Sequence, residues 1–129
     1  MKDNQHEQLF SELTPAEAAV VEGGFRVVID RIQAIRAGAD PVGADDTYIT
    51  VNGRKIWGHY NMTRGRTRSV NSHYQSPFAT EAVRVQLVDY DWAGGHDNLG
   101  GFFAVRTNGV VKKQVQGSGS IYEVYYSAW

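Results

Sequence analysis

The chain has 129 residues, no cysteine and a formal net charge of −1. That length amounts to one domain, and the lack of thiols excludes disulfides, thiolate metal sites and a cysteine nucleophile. The near-zero balance excludes a wholly basic nucleic-acid binder, and no apolar run approaches the roughly 20 residues of a membrane-spanning helix.

Charge is unevenly placed along the chain. Residues 1–24 set Lys2 against Asp3, Glu7, Glu12, Glu17 and Glu22, one base and five acids, for a net charge of −4. The remainder holds 12 bases and nine acids, net +3. This composition break predicts a boundary near residue 24, with a detachable segment over 1–24 and one folded domain over 25–129.

Within the first segment, Thr14 and Glu17 form a capping box, and Pro15 stands where a missing N–H costs nothing. Ala-rich residues follow, and Gly23 suits the left-handed conformation that ends a helix. These signals predict a short helix over 15–22. Leu13, Glu17, Val21 and the Gly23-Gly24 pair resemble the double-glycine leader of bacteriocin-type secreted peptides; Ala18 departs from the larger apolar residue usual there. The resemblance implies that a peptidase-containing ABC exporter grips this segment and cuts between Gly24 and Phe25. It implies a secreted, extracellular product. The alternative is an ordinary N-terminal helix with a glycine stop. The segment lacks the basic start and apolar run of a general secretory signal.

The body reads as strands. From Phe25 to Ile35 the apolar residues fit both a strand and a helix face, and β-branched content favours the strand. Residues 47–51 and 54–60 flank Asn52-Gly53, a strong hairpin signal because both turn residues need positive φ. Residues 66–73, with Arg66 and Arg68, read as an edge strand. Residues 82–88 alternate, with Val83, Val85 and Leu87 on one face. Residues 102–107 and 110–116 flank a second pair, Asn108-Gly109, and the same rule predicts a second hairpin. Gly117-Ser118-Gly119-Ser120 reads as a flexible turn before the alternating residues 121–126. Seven or eight strands predict an all-β antiparallel sandwich.

Five aspartates stand out by spacing. Asp40 and Asp46 are six apart, and Asp89, Asp91 and Asp97 follow as Asp-x-Asp-x5-Asp. Clustered carboxylates repel unless a cation is shared, and calcium takes about six to eight oxygen ligands at roughly 2.3–2.6 Å. Two residues apart, Asp89 and Asp91 point to one side of an extended backbone. An EF-hand loop begun at Asp89 fails, because Gly100 occupies the twelfth position where a Glu is needed.

With their flanks, these residues resemble a C2 domain. Asp46-Thr47-Tyr48-Ile49-Thr50-Val51 is similar to that family's Asp-Pro-Tyr-Val-x-Val, and Leu87-Val88-Asp89-Tyr90-Asp91 to its Val-x-Asp-x-Asp. Asp97-Asn98-Leu99-Gly100 and Ser76-Pro77-Phe78-Ala79-Thr80-Glu81 match two further motifs. The resemblance spans about residues 25–129. It implies a C2-like β-sandwich that holds Ca2+ through Asp40, Asp46, Asp89, Asp91 and Asp97. It also implies loop tips, here Val42 and Trp92, that meet a membrane, an anionic lipid surface or a partner. The lysine-rich strand of lipid-binding members is replaced by Arg64, Arg66 and Arg68. The segment between Glu81 and Asp89 is short for the family.

Catalysis has no support in these motifs. The four histidines lack zinc-site spacing, and nucleophile-elbow and phosphate-loop patterns are absent. The expected function is a secreted, calcium-binding module for surface attachment, not an enzyme. The alternatives are a structural subunit that self-assembles into an extracellular fibre or matrix, and a bacteriocin-like effector.

Overall fold

The computed structural model describes residues 24–39, 43–77 and 81–129. The expected leader helix over 15–22, Gly23, Asp40 and Val42 lie outside the described residues.

Eight strands run β1 (Phe25–Arg36), β2 (Ala44–Val51), β3 (Arg54–Thr63), β4 (Thr67–Ser76), β5 (Ala82–Asp89), β6 (Asp97–Val105), β7 (Val111–Gly117) and β8 (Ser120–Ala128). They form two four-stranded antiparallel sheets, ordered β4-β1-β8-β7 and β3-β2-β5-β6. No helix occurs among the described residues. The short Glu81–Asp89 segment costs the sandwich no strand.

Alternation builds the core. Val83, Val85 and Leu87 of β5 face inward with Ile49 and Val51 of β2, against Tyr122, Val124 and Tyr126 of β8. Burying one face of each sheet against the other is what fixes strand register.

The ambiguity of β1 has a structural cause. Phe25, Val27 and Ile29 alternate inward, a bulge falls between Ile29 and Arg31, and Ile32 and Ala34 then resume the buried face. The extra residue sets Ile29 and Ile32 three apart, which mimics a helical period in the sequence.

The two Asn-Gly pairs part company. Asn52 (φ 49°) and Gly53 (φ 83°) close the β2–β3 hairpin. Asn108-Gly109 closes none, contrary to expectation, because β6 pairs with β5 while β7 pairs with β8 in the other sheet. The connection instead crosses between sheets and is pinned by hydrogen bonds from Thr107 N–H to Ala128 O (2.8 Å) and from Ala128 N–H to Thr107 Oγ1 (3.0 Å). The tight hairpin in this part of the chain is β7–β8, where Ser118 (φ 51°) and Gly119 (φ 85°) take the left-handed turn positions.

Strand pairing sorts the connections to two ends. The described flanks of the β1–β2 connection (37–39 and 43), turn 64–66, loop 90–96 and turn 118–119 lie at one end, since Ala44 pairs with Thr63, Thr47 with Asp89, and Arg36 with Ile121. Gly24, the Asn52-Gly53 turn, connection 106–110 and Trp129 lie at the other.

Candidate cation site

Two of the five expected ligands meet through sheet register, and a third joins them through its backbone. Thr47 of β2 pairs with Asp89 of β5, and Asp89 pairs with Asp97 of β6. Asp46, next to Thr47, joins them through its backbone. Its N–H donates to Asp89 Oδ1 at 2.6 Å, and its carbonyl accepts the Tyr90 N–H at 2.8 Å.

Asp91 departs from the expectation that it shares a face with Asp89. β5 ends at Asp89, which is 1% exposed, while Asp91 lies in the following loop and is exposed. Period-two alternation holds only while the backbone stays extended. Asp91 Oδ1 accepts the Ala93 N–H at 2.9 Å, which folds the loop back on itself. Asp97 is half-buried. Among the described residues, no three acidic or imidazole side chains converge into a cage that would hold a metal ion. The carboxylates gather at one end, and two of them are engaged with backbone N–H groups.

A buried polar network underlies this end, centred on a residue outside the expected ligand set. Asp45 is 0% exposed. Its Oδ2 accepts from Ser120 Oγ (2.8 Å) and Tyr122 Oη (2.8 Å), and its Oδ1 accepts the Ala39 N–H (3.1 Å). Because the single Tyr122 hydrogen goes to Asp45, the 2.8 Å contact between Thr47 Oγ1 and Tyr122 Oη has Thr47 as donor. Burial pushes the Tyr122 hydroxyl well above the ordinary tyrosine range. The Thr47 hydrogen bond opposes this, and the bond to Asp45 with the charges of Asp45 and Asp89 adds to it. Ser120 Oγ also accepts the Gly38 N–H at 2.9 Å, so the network ties both flanks of loop 37–43 to β8. Asp45 was legible in principle, because it keeps the inward parity of Thr47, Ile49 and Val51.

An aromatic stack braces loop 90–96. The Tyr90 ring lies between His59 (4.3 Å, 9°) and His96 (5.0 Å, 27°), and His96 Nδ1 accepts the Asp91 N–H at 3.0 Å. His59 reaches Tyr90 because β3 bulges at Gly58-His59, between the pairs Thr47–Tyr60 and Ile49–Trp57. Only glycine fits position 58: φ is +98° and a Cβ would lie 2.6 Å from the Thr47 carbonyl. The chain separation of His59 and Tyr90 leaves no sequence signal for this pair.

The remaining predicted residues fall as follows. Trp92 projects from loop 90–96 with 85% of its surface exposed. Arg64 and Arg66 are exposed in the β3–β4 turn at the same end as the aspartates. Gly65 anchors that turn, donating its N–H to Ala34 O at 2.6 Å. Arg68 turns back along β4, placing its guanidinium 5.2 Å from the Tyr60 ring centre and donating to Asn61 O at 3.1 Å.

Solved structures with this architecture include C2 domains. One described as "Structure of a C2 domain" aligns over 82% of this chain and 97% of its own, with a TM-score of 0.55 and 17% identity. The sandwich has a C2-like fold. A single C2 domain from plant Extended Synaptotagmin 1 aligns over 83% of this chain and 94% of its own, with a TM-score of 0.54 and 13% identity. The tandem C2 domains of Extended-Synaptotagmin 2, in a calcium-bound structure, align over 83% of this chain and 45% of their own at a TM-score of 0.53 and 15% identity. No family model and no curated protein sequence matches the chain.

Proposed function

We propose that this C2-like domain is a secreted module that binds Ca2+ and attaches through it to an anionic surface, membrane lipid first among the candidates. The carrying observation is the meeting of acids, bases and one apolar tip at a single end. Asp46, Asp89, Asp91 and Asp97 lie at that end with Trp92 and with Arg64 and Arg66. Carboxylate oxygens suit a hard cation, and Asp40 would add a fifth from loop 37–43. In this reading Ca2+ draws the carboxylates into a closed set that their mutual repulsion keeps open without it. The calcium-bound state of the Extended-Synaptotagmin 2 pair supports the choice of ion. An exposed Trp beside bound cations suits a membrane interface, its ring apolar and its N–H directed to head groups. The domain acts by binding, and no catalytic step is assigned to it.

Export through a peptidase-containing ABC transporter, with the cut after Gly24, completes the reading. Gly24 and Phe25 are buried, and Phe25 is already paired with Ser76 in β1–β4. A protease needs extended, accessible backbone, so the cut would precede folding of β1. Co-expression with such an exporter should release a product beginning at Phe25. Intracellular retention of the uncut chain would overturn export by this route.

The calcium test is a thermal melt of the full chain in EDTA and across a Ca2+ series. A ligand that binds only the folded state adds about 2.7 kcal/mol at a hundredfold excess over Kd. Asp91→Asn, an exposed position, should abolish the rise while leaving the melt in EDTA unchanged. A flat melt through millimolar Ca2+ would overturn calcium binding. Sedimentation with phosphatidylserine vesicles then tests attachment: binding should require Ca2+ and weaken in Trp92→Ala.

A further inference from the structure

At the end opposite the aspartates, the surface carries an apolar strip that nothing among the described residues covers. Phe103 and Val105, on the outer face of β6, are 64% and 50% exposed, and Val110, at the end of the crossing into β7, is 56% exposed. Val111, the first residue of β7, is also exposed. Five residues, 106–110, join the two strands, so Val105 and Val111 flank one connection. The strip is bordered by positive charge. Arg84 lies 5.3 Å from the Phe103 ring centre, Arg106 opens the connection, and Lys112 and Lys113 follow Val111. Glu81 and Glu123 are the acids nearby, and Glu123 pairs with Lys112 at 3.4 Å.

The N-terminal segment enters the fold at this same place. Arg106 donates to the Gly24 carbonyl at 3.5 Å and stands 4.6 Å from the Phe25 ring centre. The chain therefore joins the domain at Gly24, within reach of the Arg106 side chain that follows Val105. Residues 1–23 carry five acids against one base, and they bring Leu9, Phe10, Leu13, Val20 and Val21 as apolar residues. An extended chain covers at most about 3.3–3.6 Å per residue, so even the last few residues before Gly24 reach Phe103, two positions along β6 from Val105.

We propose that residues 9–22 of the uncut chain dock on this strip, apolar side chains on Phe103, Val105, Val110 and Val111, and glutamates against the surrounding bases. Such docking is independent of the export route. It makes the segment a cover for a surface that its removal would leave open.

The absence of native cysteine gives a direct test. Ser11→Cys and Ala18→Cys, made separately in the full 15N-labelled chain, each accept one nitroxide. The expected result, for at least one label, is loss of amide peak intensity at Phe103, Val105 and Val111, restored on reducing the nitroxide. Phe103→Lys, at an exposed position, should remove that loss while leaving the remaining spectrum in place. No loss at the strip from either label would overturn the proposal, as would loss confined to the aspartate end. Loss that appears when spin-labelled 14N chain is mixed with unlabelled 15N chain would assign the strip to a second copy instead.

Discussion

The carboxylate of Asp89 accepts the backbone N–H of Asp46 at 2.6 Å, tying the start of β2 to the end of β5. This bond couples the candidate cation site to the sheet itself. A buried carboxylate that accepts a backbone donor contributes to folding whether or not a metal is bound.

Asp89 and Asp91 should therefore separate in the absence of calcium. Asp89→Ala leaves the part-buried Asp46 N–H without its acceptor and should cost about 1–3 kcal/mol. Asp91→Ala, in an exposed loop, should stay within about 0.5 kcal/mol. Urea unfolding in EDTA measures both. Equal losses would mean that the Asp46–Asp89 bond carries no stability.

Removing Asp45 should be the most damaging change at this end. Asp45→Ala strands the Ser120 and Tyr122 hydroxyls and the Ala39 N–H, and a loss of about 3 kcal/mol or more is expected. Tyr122→Phe should cost less, about 1–2 kcal/mol, since Asp45 keeps its other donors. The double variant should lose less than the sum of the two. Additive losses would refute a shared network.

Alkali should unfold the domain through Tyr122. Its hydroxyl is held above the unfolded value of 10.0, so the neutral form is favoured in the fold. That stability is fully present below about pH 10 and is lost as pH rises beyond it, because the unfolded chain then releases the proton and the folded one does not. Urea midpoints between pH 9 and pH 11 should fall, and Tyr122→Phe should flatten the fall. The same steep loss in Tyr122→Phe would assign it to other groups.

The two Asn-Gly pairs should respond differently to the same substitution. Asn52 has φ 49°, and its side-chain oxygen accepts the Arg84 N–H at 2.9 Å. Asn52→Ala should cost about 1–2 kcal/mol, because alanine tolerates the left-handed region poorly. Asn108 is exposed and lies in a crossing between sheets, and Asn108→Ala should stay within about 0.5 kcal/mol. Matched denaturation curves decide this.

Local pattern by itself determined the strand class of the chain, the β2–β3 turn, the inward face of β5 and the alternation of β8. Each follows from residues a few positions apart, where a period of two or a pair of left-handed residues leaves one choice. The spacing of the aspartates and their flanks also pointed to a C2-like sandwich, and the two sheets bear that out. Only the tertiary structure decided which Asn-Gly pair closes a hairpin, because β7 has a better partner in β8 than in β6. It also decided that Asp45 serves the core while Asp91 leaves the strand, and that His59 stacks on Tyr90 across a bulge. These outcomes depend on contacts between distant parts of the chain. A side chain's role there is set by what the opposing strand presents, and the residue's own neighbours in sequence carry no record of it.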